Sequence, residues 1–146
     1  MSKNRTPKMV DPDTQAQWFA RVREAHQTET TEDYVELIAD LIEAHQEARL
    51  SDLSKRLGVS HPTVSKVVNR LKEEGYVQSQ PYRSIFLTDK GASLAKQCKE
   101  RHKIVLDFLI RLGVSPDIAE FDAEGIEHHI SAQTLEIFKA FKNDKP

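Results

Sequence analysis

Residues 50–77, LSDLSKRLGVSHPTVSKVVNRLKEEGYV, decide the fold. Ser51 is placed to cap a short helix whose apolar positions are Leu53 and Leu57. Gly58 supplies the positive backbone angle of a tight turn. Ser60 is placed to cap a second helix with Pro62 in its first turn, where the missing N–H has no helical acceptor to lose. Val64, Val67, Val68 and Leu71 recur at helical spacing as its buried stripe, and Gly75 stops it. Cap, turn glycine and both stripes agree on one register. Two short helices joined by a Gly-Val-Ser turn make a helix-turn-helix.

Beyond Gly75, YVQSQPYRSIFLTDKG reads as two strands around a turn at residues 81–84, a β-hairpin wing. Thr88 and Asp89 open a long helix through LAKQCKERHKIVLDFLIRL, which ends at Gly113. Ser115 and Pro116 start another, and Ser131 caps a last one with Leu135, Phe138 and Phe141 on its inner face. Upstream, residues 1–13 are polar, carry Pro7 and Pro12, and read as a flexible tail. Ala16, Phe19, Ala20 and Val22, with Trp18 beside them, suggest a short amphipathic helix from Thr14. The polar stretch Gln27–Thr30 is expected to interrupt it. Thr31 then caps a helix running to about His45, with Glu32 and Asp33 in its first turn and Tyr34, Leu37, Ile38, Leu41 and Ile42 as its stripe. The expected fold class is mainly α with a small β-hairpin wing. A partly flexible extension (1–30) precedes a winged helix-turn-helix (31–92), and an all-α domain (93–146) follows.

Charge divides the chain in the same places. Residues 1–48 hold 5 Lys/Arg and 10 Asp/Glu, residues 49–103 hold 12 and 5, and residues 104–146 hold 4 and 8. The net charge of −2 thus hides a basic middle between two acidic ends. A basic middle attracts a phosphate backbone, and acidic ends attract cations. No apolar run approaches the roughly 18 residues that span a bilayer, so no membrane association is expected. The start MSKNRTPKMVDPDTQ has no apolar stretch of a secretory signal, and Cys98 has no second cysteine to pair with. Together these place the chain in a reducing cytoplasm, with Cys98 a small packing residue.

A winged helix-turn-helix lays its second helix in the major groove of double-stranded DNA. The face opposite the valine stripe carries His61, Pro62, Thr63, Ser65, Lys66, Asn69 and Arg70. Thr63 and Lys66, near the helix start, are the best placed for base edges. Arg70, Lys72 and the wing residues Tyr82 and Arg83 suit phosphates, which position a protein without reading sequence.

A second constellation is DAEGIEHHIS. Glu124, Glu127 and His128 are spaced i, i+3, i+4 and share one face of a helical turn. Asp33 and Glu36 sit one turn apart beside an apolar stripe, and His102 falls among Leu94, Val105 and Leu109. Carboxylates and imidazoles suit a divalent transition metal. A solvated acidic face and a partly buried packing histidine explain the same residues, and spacing does not bring three separate helices together.

The segments TEDYVELI, LGVSHPTVSKVVNRL, LTDKG, ERHKIVLDFLIRLGV and DAEGIEHHIS resemble the diphtheria-toxin-repressor family, and within it the manganese-responsive branch. The likeness runs from about Thr31 to Phe141. It implies a metal-bound homodimer that represses genes of manganese uptake and homeostasis from palindromic operators. It also implies a two-metal site built from Asp33, Glu36, His102, Glu124, Glu127 and His128. Four carboxylates and two neutral imidazoles offset two divalent ions, with bridging carboxylates and waters filling the shells. The iron-activated branch carries a sulfur ligand where Asp33 stands and Cys where Glu124 stands, so the oxygens here point to Mn²⁺, with Fe²⁺, Zn²⁺, Co²⁺ or Cd²⁺ as substitutes. Many iron-sensing members append a third, SH3-like domain, and none is expected here. The alternatives are an iron-responsive repressor of the same family, a metal-independent winged-helix regulator, and a two-metal hydrolase. The last leaves the winged helix idle, and no enzymatic role is expected.

Overall fold

The computed structural model describes residues 8–79 and 84–141. In chain order these form α1 (Pro12–His45), α2 (Leu50–Leu57), α3 (His61–Glu73), β1 (Val77–Gln78), β2 (Phe86–Leu87), α4 (Asp89–Leu112), α5 (Pro116–Ile126) and α6 (Ala132–Ala140). The architecture is mainly helical with one small antiparallel hairpin, as the sequence leads one to expect.

The largest departure lies in α1. It is one helix of 34 residues rather than two separated at Gln27–Thr30. Asp11 caps it, accepting from the Thr14 amide at 3.2 Å, and Pro12 occupies the first turn. The stretch Gln27–Thr30 is polar but holds neither Gly nor Pro, so nothing breaks the backbone. Thr28 Oγ1 donates instead to the Glu24 carbonyl at 2.8 Å, a bond made within a continuing helix. Thr31 is therefore mid-helix and caps nothing; its hydroxyl accepts from Arg70 Nη2 at 3.4 Å. A smaller departure is the cap of α2, which is Arg49 rather than Ser51. The Asp52 carboxylate reaches back to the Arg49 amide at 3.2 Å.

The helix-turn-helix forms as its punctuation requires. Gly58 turns the chain at φ +70° after α2, and Ser60 Oγ accepts from the Thr63 amide at the start of α3. Leu53, Val64, Val68 and Leu71 are buried against Tyr34, Ile38 and Leu41 of α1. Val67 is only partly buried beside them. The second half of α1 is thus a core element of the reading head. Val77 pairs with Leu87 and Gln78 with Phe86, while the Ile85 amide donates to the Ala48 carbonyl at 2.8 Å, joining the hairpin to the α1–α2 connection. The turn proposed at residues 81–84 falls mostly outside the described residues, and Tyr82 and Arg83 with it.

The segment LTDKG locks α4 to the end of α3. Thr88 Oγ1 donates to the Gly75 carbonyl at 2.6 Å and accepts from the Gly91 amide at 3.1 Å. Lys90 Nζ donates to the Glu74 carbonyl at 2.8 Å and lies 4.2 Å from the centroid of the Tyr76 ring. Gly91 is buried so closely that a Cβ there would stand 2.1 Å from the Tyr76 carbonyl oxygen. Beyond this clamp, α4 buries Ala95, Cys98 and Val105, and α5 buries the small residues Ala119 and Ala123 against it. Phe108 of α4 stacks on Phe138 of α6 at 3.9 Å, with Phe141 edge-on at 5.4 Å.

Gly91→Ala drives a methyl into a backbone carbonyl that the Thr88 bonds hold in place. A stability loss of about 3 kcal/mol is expected, since overpacking a rigid site costs that order. Urea denaturation measures it; a loss under about 0.5 kcal/mol would show that the clamp yields.

Candidate metal centre

Four of the six residues proposed as ligands converge between α1, α4 and the chain just after α5. His128 Nε2 lies 3.1 Å from Asp33 Oδ1 and 3.3 Å from Glu127 Oε1. His102 Nδ1 lies 3.0 Å from Glu127 Oε2 and 3.4 Å from Glu124 Oε1, which brings in a fifth residue. Glu127 therefore stands between the two histidines with one oxygen toward each. Glu36 opens with Asp33, Asp40 and Glu124 onto a cleft walled by Leu37, Leu57 and Arg56. All six residues face one region, although α5 ends at Ile126, so Glu127 and His128 sit in the turn after the helix rather than on it. The Glu127 amide still donates to the Ala123 carbonyl at 3.0 Å, which keeps Glu127 on the face of Glu124.

Second partners fix each imidazole. His128 Nδ1 is 2.8 Å from Glu32 Oε2, and Glu32 also accepts from Arg101 Nη2. His102 Nε2 is 2.8 Å from Glu120 Oε2. In a neutral imidazole, a ring nitrogen that donates its proton to a carboxylate leaves the other nitrogen with a lone pair to offer a cation. Those other nitrogens, His128 Nε2 and His102 Nδ1, are buried without a hydrogen bond, as are both Glu127 oxygens. The short contacts among them lack hydrogen-bond geometry. Unpaired buried donors facing one another at about 3 Å are what ligands of a common cation look like. The donor set therefore fits a divalent metal.

The electrostatics agree. Burial pushes the Glu127 carboxyl up to about 7, and the charge of Glu36 adds to it. Glu36 is itself raised, first by burial and then by Glu124 and Asp40. Burial opposes the charged form of His128, but the nearby Asp33 and Glu32 carboxylates outweigh it and raise the ring to about 10. Burial opposes the charged form of Glu32 as well, but His128 and Arg101 outweigh it and hold the carboxyl low. Protons on Glu127 and His128 thus hold together a cluster whose carboxylates otherwise repel. A divalent cation held by these residues would do the same work.

Glu32, Arg101 and Glu120 escaped the sequence reading. The sequence places Glu32 in the first turn of a helix starting at Thr31; in the continuous α1 it is mid-helix, and its burial has no local signal. Cys98 is buried as expected, beside Glu32, and burial pushes its thiol up to about 12. On the reading face, His61, Pro62, Thr63, Lys66, Asn69, Arg70 and Lys72 are exposed and Ser65 is half-buried. Arg70 is partly engaged within the chain, pairing with Thr31 and, at 3.7 Å, with Glu74.

A winged reading head whose first helix also feeds a buried carboxylate–imidazole cluster defines a metal-responsive DNA-binding regulator. Residues 26–85 match the N-terminal DNA binding domain of the iron dependent repressors, and residues 88–144 match their metal binding and dimerisation domain. The chain is 52% identical over 133 residues to the transcriptional regulator MntR of Salmonella typhimurium, covering 91% of this chain and 85% of that one. It is 39% identical over 109 residues to the HTH-type transcriptional regulator MntR of Listeria monocytogenes, 75% of this chain and 77% of that one. A solved manganese-dependent transcriptional repressor in complex with manganese superposes with a TM-score of 0.69 at 29% identity, over 75% of this chain. The chain spans about half the length of that protein, 51%. The chain belongs to the diphtheria-toxin-repressor family of metal-dependent transcriptional repressors. That role is not enzymatic, so the hydrolase alternative falls, and no helix among the described residues is long and apolar enough to cross a membrane.

Glu127→Gln keeps the side-chain shape and removes its charge. Metal affinity, measured against a competing chelator, should fall at least about 100-fold, the upper end of the loss for a residue that only supports a ligand. Metal-free stability should move oppositely. A carboxyl raised from 4.5 to about 7 weakens the folded state as pH climbs through that window. The variant should then be more stable than the parent at pH 8 and equal to it at pH 4 in urea melts.

Proposed function

We propose that the chain is a manganese-activated repressor that binds palindromic operator DNA as a homodimer and controls genes of manganese uptake and homeostasis in the cytoplasm. Two ions per chain are held by Asp33, Glu36, His102, Glu124, Glu127 and His128. The observation that carries this reading is the set of buried, unpaired nitrogens and oxygens on His102, Glu127 and His128, directed at one another between α1 and α4. Glu127 presents a separate oxygen to each histidine, which favours two ions sharing a bridging carboxylate.

Oxygen dominates the donor set, and hard carboxylates suit Mn²⁺, whereas affinity alone favours later metals. Fe²⁺, Zn²⁺, Co²⁺ and Cd²⁺ are substitutes. The names of the similar MntR proteins and of the manganese-bound repressor support the same ion.

Function divides along the chain as an extension (1–30), a reading head (31–92) and a metal-binding and dimerisation region (93–146). His61, Pro62, Thr63, Ser65, Lys66 and Asn69 face the groove, and Arg70, Lys72, Tyr82 and Arg83 contact the phosphates. Apolar side chains left in solvent on α5, Ile118 at 55% and Phe121 at 80% exposure, suit burial by a second copy. Because α1 carries Asp33 and Glu36 and is also a core element of the reading head, bound metal ties that head to the dimer. It thereby fixes the spacing of two α3 helices, and palindromic half-sites require one such spacing.

The test is gel-shift titration on a palindromic duplex selected from a random pool by the manganese-loaded protein. Mn²⁺ should tighten binding about 5- to 150-fold, the range of a coupling of about 1–3 kcal/mol. Lys66→Ala should weaken the manganese-loaded complex without changing metal uptake. Equal affinity with and without Mn²⁺ would refute metal activation, and a stronger response to Fe²⁺ would give the role to iron.

A further inference from the structure

A second group of donors lies beside the centre and outside its six residues. His26 and Glu29 stand one turn apart on α1, and His129 follows His128 in the turn after α5. Glu29 Oε2 is 3.1 Å from His129 Nε2 and 3.4 Å from His26 Nδ1. The two imidazole rings meet edge to face, with centroids 4.9 Å apart and planes at 69°. One donor atom from each residue lies within 4.8 Å of the other two.

The two distances from Glu29 match those between neighbouring donors of a coordination shell. A tetrahedral ion with metal–ligand bonds of about 2.0–2.1 Å holds neighbouring donors about 3.3 Å apart. Adjacent histidines divide between the two clusters. The His128 side chain is 1% exposed and turns into the centre, whereas His129 is 30% exposed and turns toward α1. The exposed edge leaves room for water to complete a shell. Glu29 also groups with Asp33 and His128, so its carboxylate adjoins both clusters.

We propose that His26, Glu29 and His129 form a further divalent-cation site, separate from the two-ion centre. Two imidazoles to one carboxylate is a softer set than the oxygen-rich centre, so the site takes late first-row ions, zinc above all, in preference to manganese. Its ion joins the part of α1 ahead of Asp33 to the chain after α5. That makes it a second tie across the joint the centre spans, open to solvent and to exchange. The site requires nothing of the DNA reading.

The experiment uses the full chain, stripped of metal and equilibrated with Zn²⁺, with bound ions counted by mass spectrometry. His26→Gln and His129→Gln are the variants, and both positions lie outside the core. Each should hold one zinc fewer per chain than the parent and keep the parent's Mn²⁺ uptake. Crystals of the zinc-loaded parent should show an anomalous peak among the three side chains. Unchanged zinc counts, or no peak there, would reduce the trio to a hydrogen-bonded cluster. Loss of Mn²⁺ uptake in both variants would make it part of the main centre, and would equally overturn a separate site.

Discussion

A carboxylate with no solvent exposure, Glu127, sits between two histidines and hydrogen-bonds to neither. Burying a charge costs several kcal/mol unless it is compensated, so the surroundings have to supply a proton, a protonated imidazole or a cation. Near neutral pH the proton is only weakly held, since the carboxyl titrates at about 7. The rest of the centre follows from that constraint. Glu32 and Glu120 each take one nitrogen of a histidine and leave the other directed at Glu127. Arg101 in turn neutralises Glu32, so the supporting carboxylate is not itself an uncompensated charge.

The centre matters beyond its own stability because of what α1 is. One unbroken helix contributes Asp33 and Glu36 on one side and Tyr34, Ile38 and Leu41 on the other, where they pack under the recognition helix. A helix transmits displacement along its length better than a loop does. The Thr88–Gly91 clamp supplies a second rigid link, from the end of α3 into α4, which carries His102. The reading head is therefore attached to the metal-binding region at two places. Under the proposed function, metal would act on the first of these, where the buried charges gather.

The helix-turn-helix was legible because local chemistry specifies it: a serine cap, a glycine at positive φ, and apolar residues at helical spacing. The last three helices were readable from Thr88, Ser115 and Ser131 for the same reason. The helix break expected at Gln27–Thr30 is absent because polarity alone does not end a helix; it takes a glycine, a proline or a competing cap. The ligand set was half legible. Glu124, Glu127 and His128 share a face by spacing, and Asp33 and Glu36 sit one turn apart, but the meeting of these two groups with His102 is a tertiary fact that only family resemblance supplied. Glu32 had no signal, since its burial depends on Arg101, 69 residues away. His26, Glu29 and His129 were likewise hidden, because the contact joins positions 100 residues apart.

Amide hydrogen exchange of the full chain during Mn²⁺ titration tests the central claim most directly. If metal ties the reading head to the rest of the molecule, residues 31–42 of α1 should gain protection together with residues 119–128. Both should saturate at the same Mn²⁺ concentration. Protection confined to residues 119–128, with α1 exchanging as in the metal-free protein, would contradict it.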